Sequence, residues 1–197
     1  RLREQEVISI GQQKQLTSEL TGTIKKAQKA QMGADYQNHV LDCLKLGAPV
    51  EDFTWTDAGG TEHTLNAKKH TTAAMDTLWD TAQSGAARAV QGGAATLLPG
   101  ETPDAAVARI AVNAFAPILV KNAIKYDRFD TLLQSAARSV GTRSSTSSEG
   151  NPQFKNGLML WRALYSADPK AAVMQTDAKT AQFWQMASRA YDNNKGD

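Results

Sequence analysis

The chain has 197 residues, of which 41% are hydrophobic and 21% are charged, and its formal net charge is +2. This length suits one folded domain, and the composition is typical of a globular protein rather than a disordered one. The one cysteine, Cys43, excludes an intramolecular disulfide framework. With no run of about 18 apolar residues, the chain is expected to be soluble, with no membrane partner.

The first 32 residues, which we name the arm, predict a long helix with few apolar positions. A helix with so thin an apolar face is marginal alone, so the arm is expected to need a partner surface, either its own body or a neighbouring copy. A second helix is predicted from Ala34 to Leu46, at the start of a core domain spanning 33–192. The imperfect apolar stripe of the arm comprises Val7, Ile10, Leu16, Leu20, Ile24 and Ala27.

Residues 52–65 change from a helical to an alternating pattern around Asp57-Ala58-Gly59-Gly60, which predicts a β-hairpin. A helix is expected from Ala67 to Val90. Thr102-Pro103-Asp104 predicts the start of another, because Thr caps free N–H groups and Pro is tolerated in the first turn. Pro117 is expected to kink this helix or to begin a new one that runs to Phe129.

The last third of the chain predicts a helix that ends at Gly141, a polar loop at 142–157, a helix from Leu158 to Tyr165 and a final helix from about Thr176. Residues 193–197 are expected to be a frayed tail. The predicted fold class is therefore mainly α, an irregular bundle of six to eight helices with one small β-hairpin.

Positive charge is concentrated in one segment. Residues 105–162 carry eight cations and three anions, a net charge of +5, whereas residues 1–104 carry ten cations and thirteen anions, a net charge of −3. A segment with surplus positive charge is typical of a surface that faces a polyanion.

We therefore predict a nucleic-acid-binding region along this segment. Lys121, Lys125 and Arg128 are spaced to lie on one stripe of a helix, and the serines after Arg143 add hydroxyl donors. Tyr126, Phe154 or Trp161 would offer a ring for base stacking. The alternative is a solvated helix face that Asp127 and Asp130 balance. The candidate residues are Lys121, Lys125, Arg128, Arg138, Arg143, Ser144, Ser145, Lys155 and Arg162.

Catalytic and metal-binding motifs are absent from the sequence, so no cofactor, metal or small-molecule substrate is predicted. His39 and Cys43 stand four residues apart on a predicted helix, which would place a thiol beside an imidazole. A buried structural cysteine is the alternative. Asp76 and Asp80 share the same spacing and are expected to lie on an exposed helix face.

Three functions remain open. The first is a non-enzymatic structural subunit that self-assembles, as in a virion coat, a nucleocapsid or a filament. Its arm would bind copies of itself, and its basic region would bind a nucleic-acid backbone, with RNA favoured and no sequence specificity. The second is a helical adaptor that binds a protein, and the third is an enzyme that uses His39 and Cys43. The localisation stays open between virion and cytoplasm.

Overall fold

The computed structural model describes residues 10–140 and 151–193. Those residues form seven α-helices and one antiparallel pair of strands, so the predicted mainly helical fold with a small β-hairpin is confirmed. In chain order the elements are α1 (Ile10–Leu46), β1 (Phe53–Thr56), β2 (Glu62–Leu65), α2 (Ala67–Gln91), α3 (Pro103–Asn122), α4 (Asp127–Ser139), α5 (Pro152–Ala167), α6 (Pro169–Met174) and α7 (Ala178–Asn193).

The first helix is longer than the sequence predicts. α1 is one helix of 37 residues, about 55 Å long at 1.5 Å per residue, and it passes through Gly33 without a break. The prediction of two helices is wrong here, because one glycine costs a helix only about 1 kcal/mol. The core contacts beyond it offset that cost, since Tyr36, Val40 and Leu44 are buried.

The hairpin lies against α1. Its register places Phe53 opposite Leu65 and Trp55 opposite His63, and Gly60 takes a φ of +79° in the turn, so the predicted hairpin is confirmed. The Tyr36 ring stacks on Phe53 with centroids 5.8 Å apart, and its hydroxyl donates a hydrogen bond of 2.5 Å to the Glu51 carbonyl. The hairpin is therefore attached to the end of α1 that is buried in the core.

The third helix is the centre of the body. The Thr102 hydroxyl accepts a hydrogen bond from the Ala105 amide at 3.3 Å, which confirms the predicted N-terminal cap. The helix continues through Pro117 to Asn122, so no new helix begins at the proline. Among the described helices, α3 has the length and apolar composition to cross a membrane, but it is also a core helix that contacts α2 and α5.

Two groups of aromatic side chains fill the body. Trp79, Phe115, Tyr126 and Phe129 meet between α2, α3 and α4, and the Trp79 and Phe129 rings are 4.7 Å apart, edge to face. Trp184 belongs to α7 and faces α4, where its indole N–H donates to the Leu133 carbonyl at 3.2 Å. These contacts explain why the helices form one core.

The connection between α3 and α4 differs from the prediction of a continuous segment to Phe129. α3 ends at Asn122, and Ala123 takes a left-handed conformation with a φ of 51°. The fully buried Gln175 holds the connection, because its side-chain amide donates to the Ile124 carbonyl at 3.1 Å and accepts from the Tyr126 N–H at 2.7 Å.

The predicted loop at 142–157 is shorter, because α5 already begins at Pro152. The Asn151 side chain caps this helix by accepting hydrogen bonds from the Gln153 and Phe154 amides. A short helix that the sequence did not predict, α6, follows the Asp168 cap. Residues 141–150 and 194–197, which include most of the predicted loop and of the predicted frayed tail, lie outside the described residues.

Candidate functional site: basic region and N-terminal arm

The first three predicted cations do not share one helix. Lys121 lies in the last turn of α3, Lys125 lies in the connection, and Arg128 lies in the first turn of α4. The prediction of a single helical stripe is wrong, because the chain leaves the helix at Ala123. Any surface that these side chains form together depends on the turn between two helices.

Lys121 and Lys125 both have partners in their own body. The Lys125 ammonium lies 2.7 Å from the Asp130 carboxylate. Burial raises the pKa of Asp130, but the hydrogen bonds from Lys125 and Gln134 outweigh that effect and hold the pKa below its ordinary value. The Lys121 ammonium donates to the Lys45 carbonyl at 3.3 Å, so it lies over the end of α1.

Arg128 contacts two carboxylates of α2. Its guanidinium lies 2.9 Å from Asp80 and 3.5 Å from Asp76, and the Tyr126 hydroxyl also donates to Asp76 at 2.6 Å. The hydrogen bond to Asp80 raises the pKa of Arg128. Burial, together with the hydrogen bond to Asp76, raises the pKa of Tyr126, so that hydroxyl keeps its proton. Asp76 and Asp80 thus join α2 to α4 rather than standing on a purely solvated face.

Arg162 faces a different part of the molecule. Its guanidinium lies 2.6 Å from the Asp192 carboxylate, donates to the Ser188 hydroxyl at 3.3 Å and lies 5.0 Å from the centroid of the Tyr191 ring. These partners belong to α7, whereas the partners of Arg128 belong to α2. The two arginines therefore make their ion pairs with different helices.

Arg138 and Lys155 lie at one end of the bundle. The Asn151 side chain donates to the carbonyl and hydroxyl of Ser139 at 3.0 and 2.8 Å, so the end of α4 meets the start of α5. Arg138 donates to the Gln134 amide oxygen at 3.2 Å, and Lys155 is exposed in the first turn of α5. The remaining candidates, Arg143, Ser144 and Ser145, lie outside the described residues.

Two of the three proposed stacking rings are in the core. Trp161 is 1% exposed and Tyr126 is 4% exposed, so the prediction that either would stack on a base is wrong. Phe154 is half-buried and stacks on Trp184 with centroids 5.5 Å apart. Hydrophobic burial explains these aromatic positions.

The structure brings His39 and Cys43 together, with the thiol sulfur 3.4 Å from the imidazole Nε2. Cys43 is buried and His39 is exposed. Within residues 10–140 and 151–193, no other side chain forms a hydrogen bond with the His39 ring, and no group of three His, Cys, Asp or Glu side chains could hold a metal ion. In a catalytic pair of a nucleophile and a base, a third side chain normally orients the base by a hydrogen bond.

The described part of the arm, residues 10–32, presents apolar side chains to solvent. Leu16, Leu20 and Ile24 are 46%, 60% and 52% exposed. At 100° per residue they lie on one stripe of the helix. Lys25 lies about 140° around the helix from the middle of this stripe and reaches Asp57 of the hairpin at 3.8 Å, whereas the partly buried Gln28 and Met32 continue the series of the stripe at intervals of four residues. All residues from 11 to 21 are exposed, so the body covers none of this part of α1 and leaves Leu16 and Leu20 exposed.

The arm is also basic, which the sequence analysis missed. Residues 10–32 contain four lysines and one glutamate, so their net charge is 4 − 1 = +3. The negative total over residues 1–104 conceals this local surplus. A count over a window of about 20 residues would have revealed it.

Comparison with known protein families, curated proteins and solved structures finds no match to the chain. Two surfaces of the molecule are therefore the candidates for a functional contact. One is the basic region, where Lys125, Arg128 and Arg162 have carboxylate partners. The other is the arm, whose apolar stripe is exposed.

Proposed function

We propose that this chain is a non-enzymatic structural subunit that assembles with copies of itself through the exposed stripe of its arm. One observation carries the proposal: Leu16, Leu20 and Ile24 line one stripe of α1 and are about half exposed. The ion pair with the hairpin is made by Lys25, on another face of the helix. Exposed apolar side chains that line up on one helix face are typical of a helix-pairing surface. A coat, nucleocapsid or filament subunit would use such an arm to link neighbours.

The expected strength of one such contact is modest. Burying the exposed half of each side chain contributes about 1 kcal/mol, and association costs at least about 4 kcal/mol in translational and rotational freedom. We therefore expect one such contact to be weak and its association to depend on concentration, and an assembly with many contacts would strengthen it.

Light scattering coupled to size-exclusion chromatography tests the proposal on the full chain over a concentration series. The test variant is Leu20→Glu, and the matched control is Met186→Glu, which changes a side chain of the body that is 62% exposed. We expect the mass of the wild type and of the control to rise with concentration, and the mass of Leu20→Glu to stay that of a monomer. Point variants are preferable to removal of residues 1–32, because Lys25 lies within that segment and contacts Asp57 of the hairpin.

Two results would overturn the proposal. One is a wild type that remains a monomer at every concentration, which would favour the adaptor hypothesis. The other is an equal degree of association for Leu20→Glu and the wild type, which would place any assembly surface elsewhere.

Nucleic-acid binding stays a prediction beside this proposal. The ion pairs of Lys125, Arg128 and Arg162 would have to be exchanged for phosphate contacts, which lowers the expected gain from those three cations. Binding of a single-stranded RNA homopolymer at increasing salt tests the prediction, because affinity for a phosphate backbone falls steeply with salt. No binding even at low salt would contradict it.

A further inference from the structure

One face of α1 has the spacing of a helix that pairs with another helix. Six of its exposed residues follow one another at alternating intervals of four and three, which is the repeat of a coiled-coil seam. Large residues stand at the N-terminal end of this face and small ones at the C-terminal end. We name it the seam; it comprises Leu16, Leu20, Thr23, Ala27, Ala30 and Ala34.

The order of sizes along the seam favours an antiparallel partner. In a parallel pair of identical helices, Leu would face Leu at one end and Ala would face Ala at the other, so the distance between the helices would have to change along the pair. In an antiparallel pair, Leu16 faces Ala27 of the second copy and Leu20 faces Thr23. Large then meets small in each of these layers, which keeps the helices evenly spaced and closely packed.

The charged side chains beside the seam also favour the antiparallel arrangement. Glu19 and Lys26 each stand immediately before a residue of the seam, on the same edge of it. In the antiparallel register just described, Glu19 of each copy faces Lys26 of the other, which forms two equivalent ion pairs. In a parallel pair in register, the corresponding positions would place Glu19 near Ile24 and Lys26 near Gln31, with no ion pair.

The face that the body uses is compatible with this pairing. Lys25, Gln28 and Met32 are partly buried on roughly the opposite side of α1, so a second helix along the seam would leave the Lys25–Asp57 contact in place. Tyr36 and Val40, where the core begins, lie beyond the paired segment. The pairing over residues 13–30 therefore leaves the Lys25–Asp57 contact and the buried side chains of Tyr36 and Val40 in place.

We propose that two copies of the chain pair antiparallel along α1 over residues 13–30, an inference that rests on the proposed function. Leu20 lies opposite Thr23 of the second copy, and Glu19 lies opposite Lys26. The two copies then place their bodies at opposite ends of the helix pair, which would make the pair a spacer between two bodies in an assembly.

Charge reversal tests this register. Glu19→Lys and Lys26→Glu each replace two attractive pairs with two repulsive ones, so we expect each single variant to weaken dimerisation roughly tenfold at low salt. The double variant restores both pairs with the signs exchanged, and its dissociation constant is expected to lie within about threefold of the wild type. Lys29→Glu is the matched control, because Lys29 lies outside the seam and faces no carboxylate in this register. Sedimentation equilibrium of the full chain gives the dissociation constants.

The outcomes separate this inference from the proposed function. A wild type that does not dimerise contradicts the proposed function and, with it, the pairing. A wild type that dimerises through Leu20 but is indifferent to both charge reversals retains the proposed function and overturns the antiparallel register.

Disulfide crosslinking gives a second test in a Cys43→Ala background, which removes the native thiol. We expect a mixture of the Leu20→Cys and Thr23→Cys variants to form a crosslinked dimer under mild oxidation, faster than either variant alone. Faster crosslinking of each variant with itself would show a parallel pair and overturn the inference.

Discussion

The arm and the body use similar side chains in opposite ways. In the body, apolar side chains such as Trp161, Trp184 and Leu164 are at most 1% exposed, whereas Leu20 and Ile24 of the arm are more than half exposed. Both regions are helical, so the difference does not lie in local structure. The difference is that other helices cover the apolar side chains of the body, whereas no other described element covers Leu20 and Ile24.

This contrast predicts which substitutions change the stability of the fold and which change association. Helices of the body are stabilised by burial against one another, because most helical stability in proteins comes from tertiary packing. In the described first half of α1, by contrast, Gly22, Lys25 and Gln28 are partly buried and the other residues from 11 to 28 are exposed. Changes in the body are therefore expected to alter folding, and changes on the exposed stripe of the arm are expected to alter association.

The largest expected effect is the loss of Trp184. Its side chain is fully buried, stacks on Phe154 and donates to the Leu133 carbonyl. Trp184→Ala is expected to lower the free energy of unfolding by about 3–5 kcal/mol, because it leaves a large cavity. Leu20→Ala is the control in the arm and is expected to change the stability of the monomer by less than about 0.5 kcal/mol. Urea denaturation at low protein concentration measures both, and equal losses would contradict the division between arm and body.

A smaller effect is expected from a buried amide. Gln175→Met keeps the length of the side chain but leaves the Ile124 carbonyl and the Tyr126 N–H without their partner. We expect a loss of about 2–4 kcal/mol, because each buried polar group that loses its hydrogen bond costs about 1–3 kcal/mol. The control is Gln31→Met in the arm, where the exposed amide bonds only to Asp35. A neutral Gln175→Met would show that water replaces the amide at the connection.

The sequence predicted those elements whose signals are local. The hairpin follows from its alternation and from the turn Asp57-Ala58-Gly59-Gly60, and the start of α3 follows from the Thr102 cap, since both depend on neighbouring residues. The helical continuity at Gly33 and the end of α3 at Asn122 were not predicted. Both depend on contacts between distant residues, such as the hydrogen bonds from Gln175 to the connection.

The candidate site was harder to predict for the same reason. The sequence located the surplus of cations at 105–162, but it could not assign Asp80 to Arg128 or Asp192 to Arg162, because those pairs join different helices. It predicts that the arm needs a partner surface, and this stays a prediction. The sequence could not predict which face of the arm is exposed, because the contact between Lys25 and Asp57 of the hairpin joins residues that are distant in the chain.

Replacing a glycine by alanine is expected to have opposite effects on stability in the body and in α1. A Cβ at Gly157 would lie 2.5 Å from the Ala136 Cβ and 2.6 Å from a ring carbon of Trp184, whereas a Cβ at Gly33 would meet nothing within 4 Å. Gly157→Ala is expected to destabilise the protein by about 1–3 kcal/mol through overpacking. Gly33→Ala is expected to stabilise it by up to about 1 kcal/mol through helix propensity. Thermal unfolding that shifts in the same direction for both variants would contradict the packing at Gly157.

The last expected effect concerns Asp57 in the turn of the hairpin. Hydrogen bonds from the Thr61 amide and the His63 side chain, aided by the Gly59 amide and the Lys25 ammonium, lower the pKa of Asp57 from 3.8 to about 2. A carboxyl whose pKa is lowered by folding stabilises the folded state above its unfolded pKa. As the pH falls from about 4 to about 2, the unfolded chain binds the proton first, so this stabilisation is lost.

Asp57→Asn isolates that contribution, because Glu101, Asp130 and Asp177, whose pKa values are also lowered, respond alike in both proteins. We expect the wild type to be the more stable protein at about pH 5, and the difference to shrink as the pH approaches about 2. Urea denaturation at each pH measures the difference. A difference that does not change with pH would mean that Asp57 acts through hydrogen-bond geometry alone, and that its charge does not stabilise the folded protein.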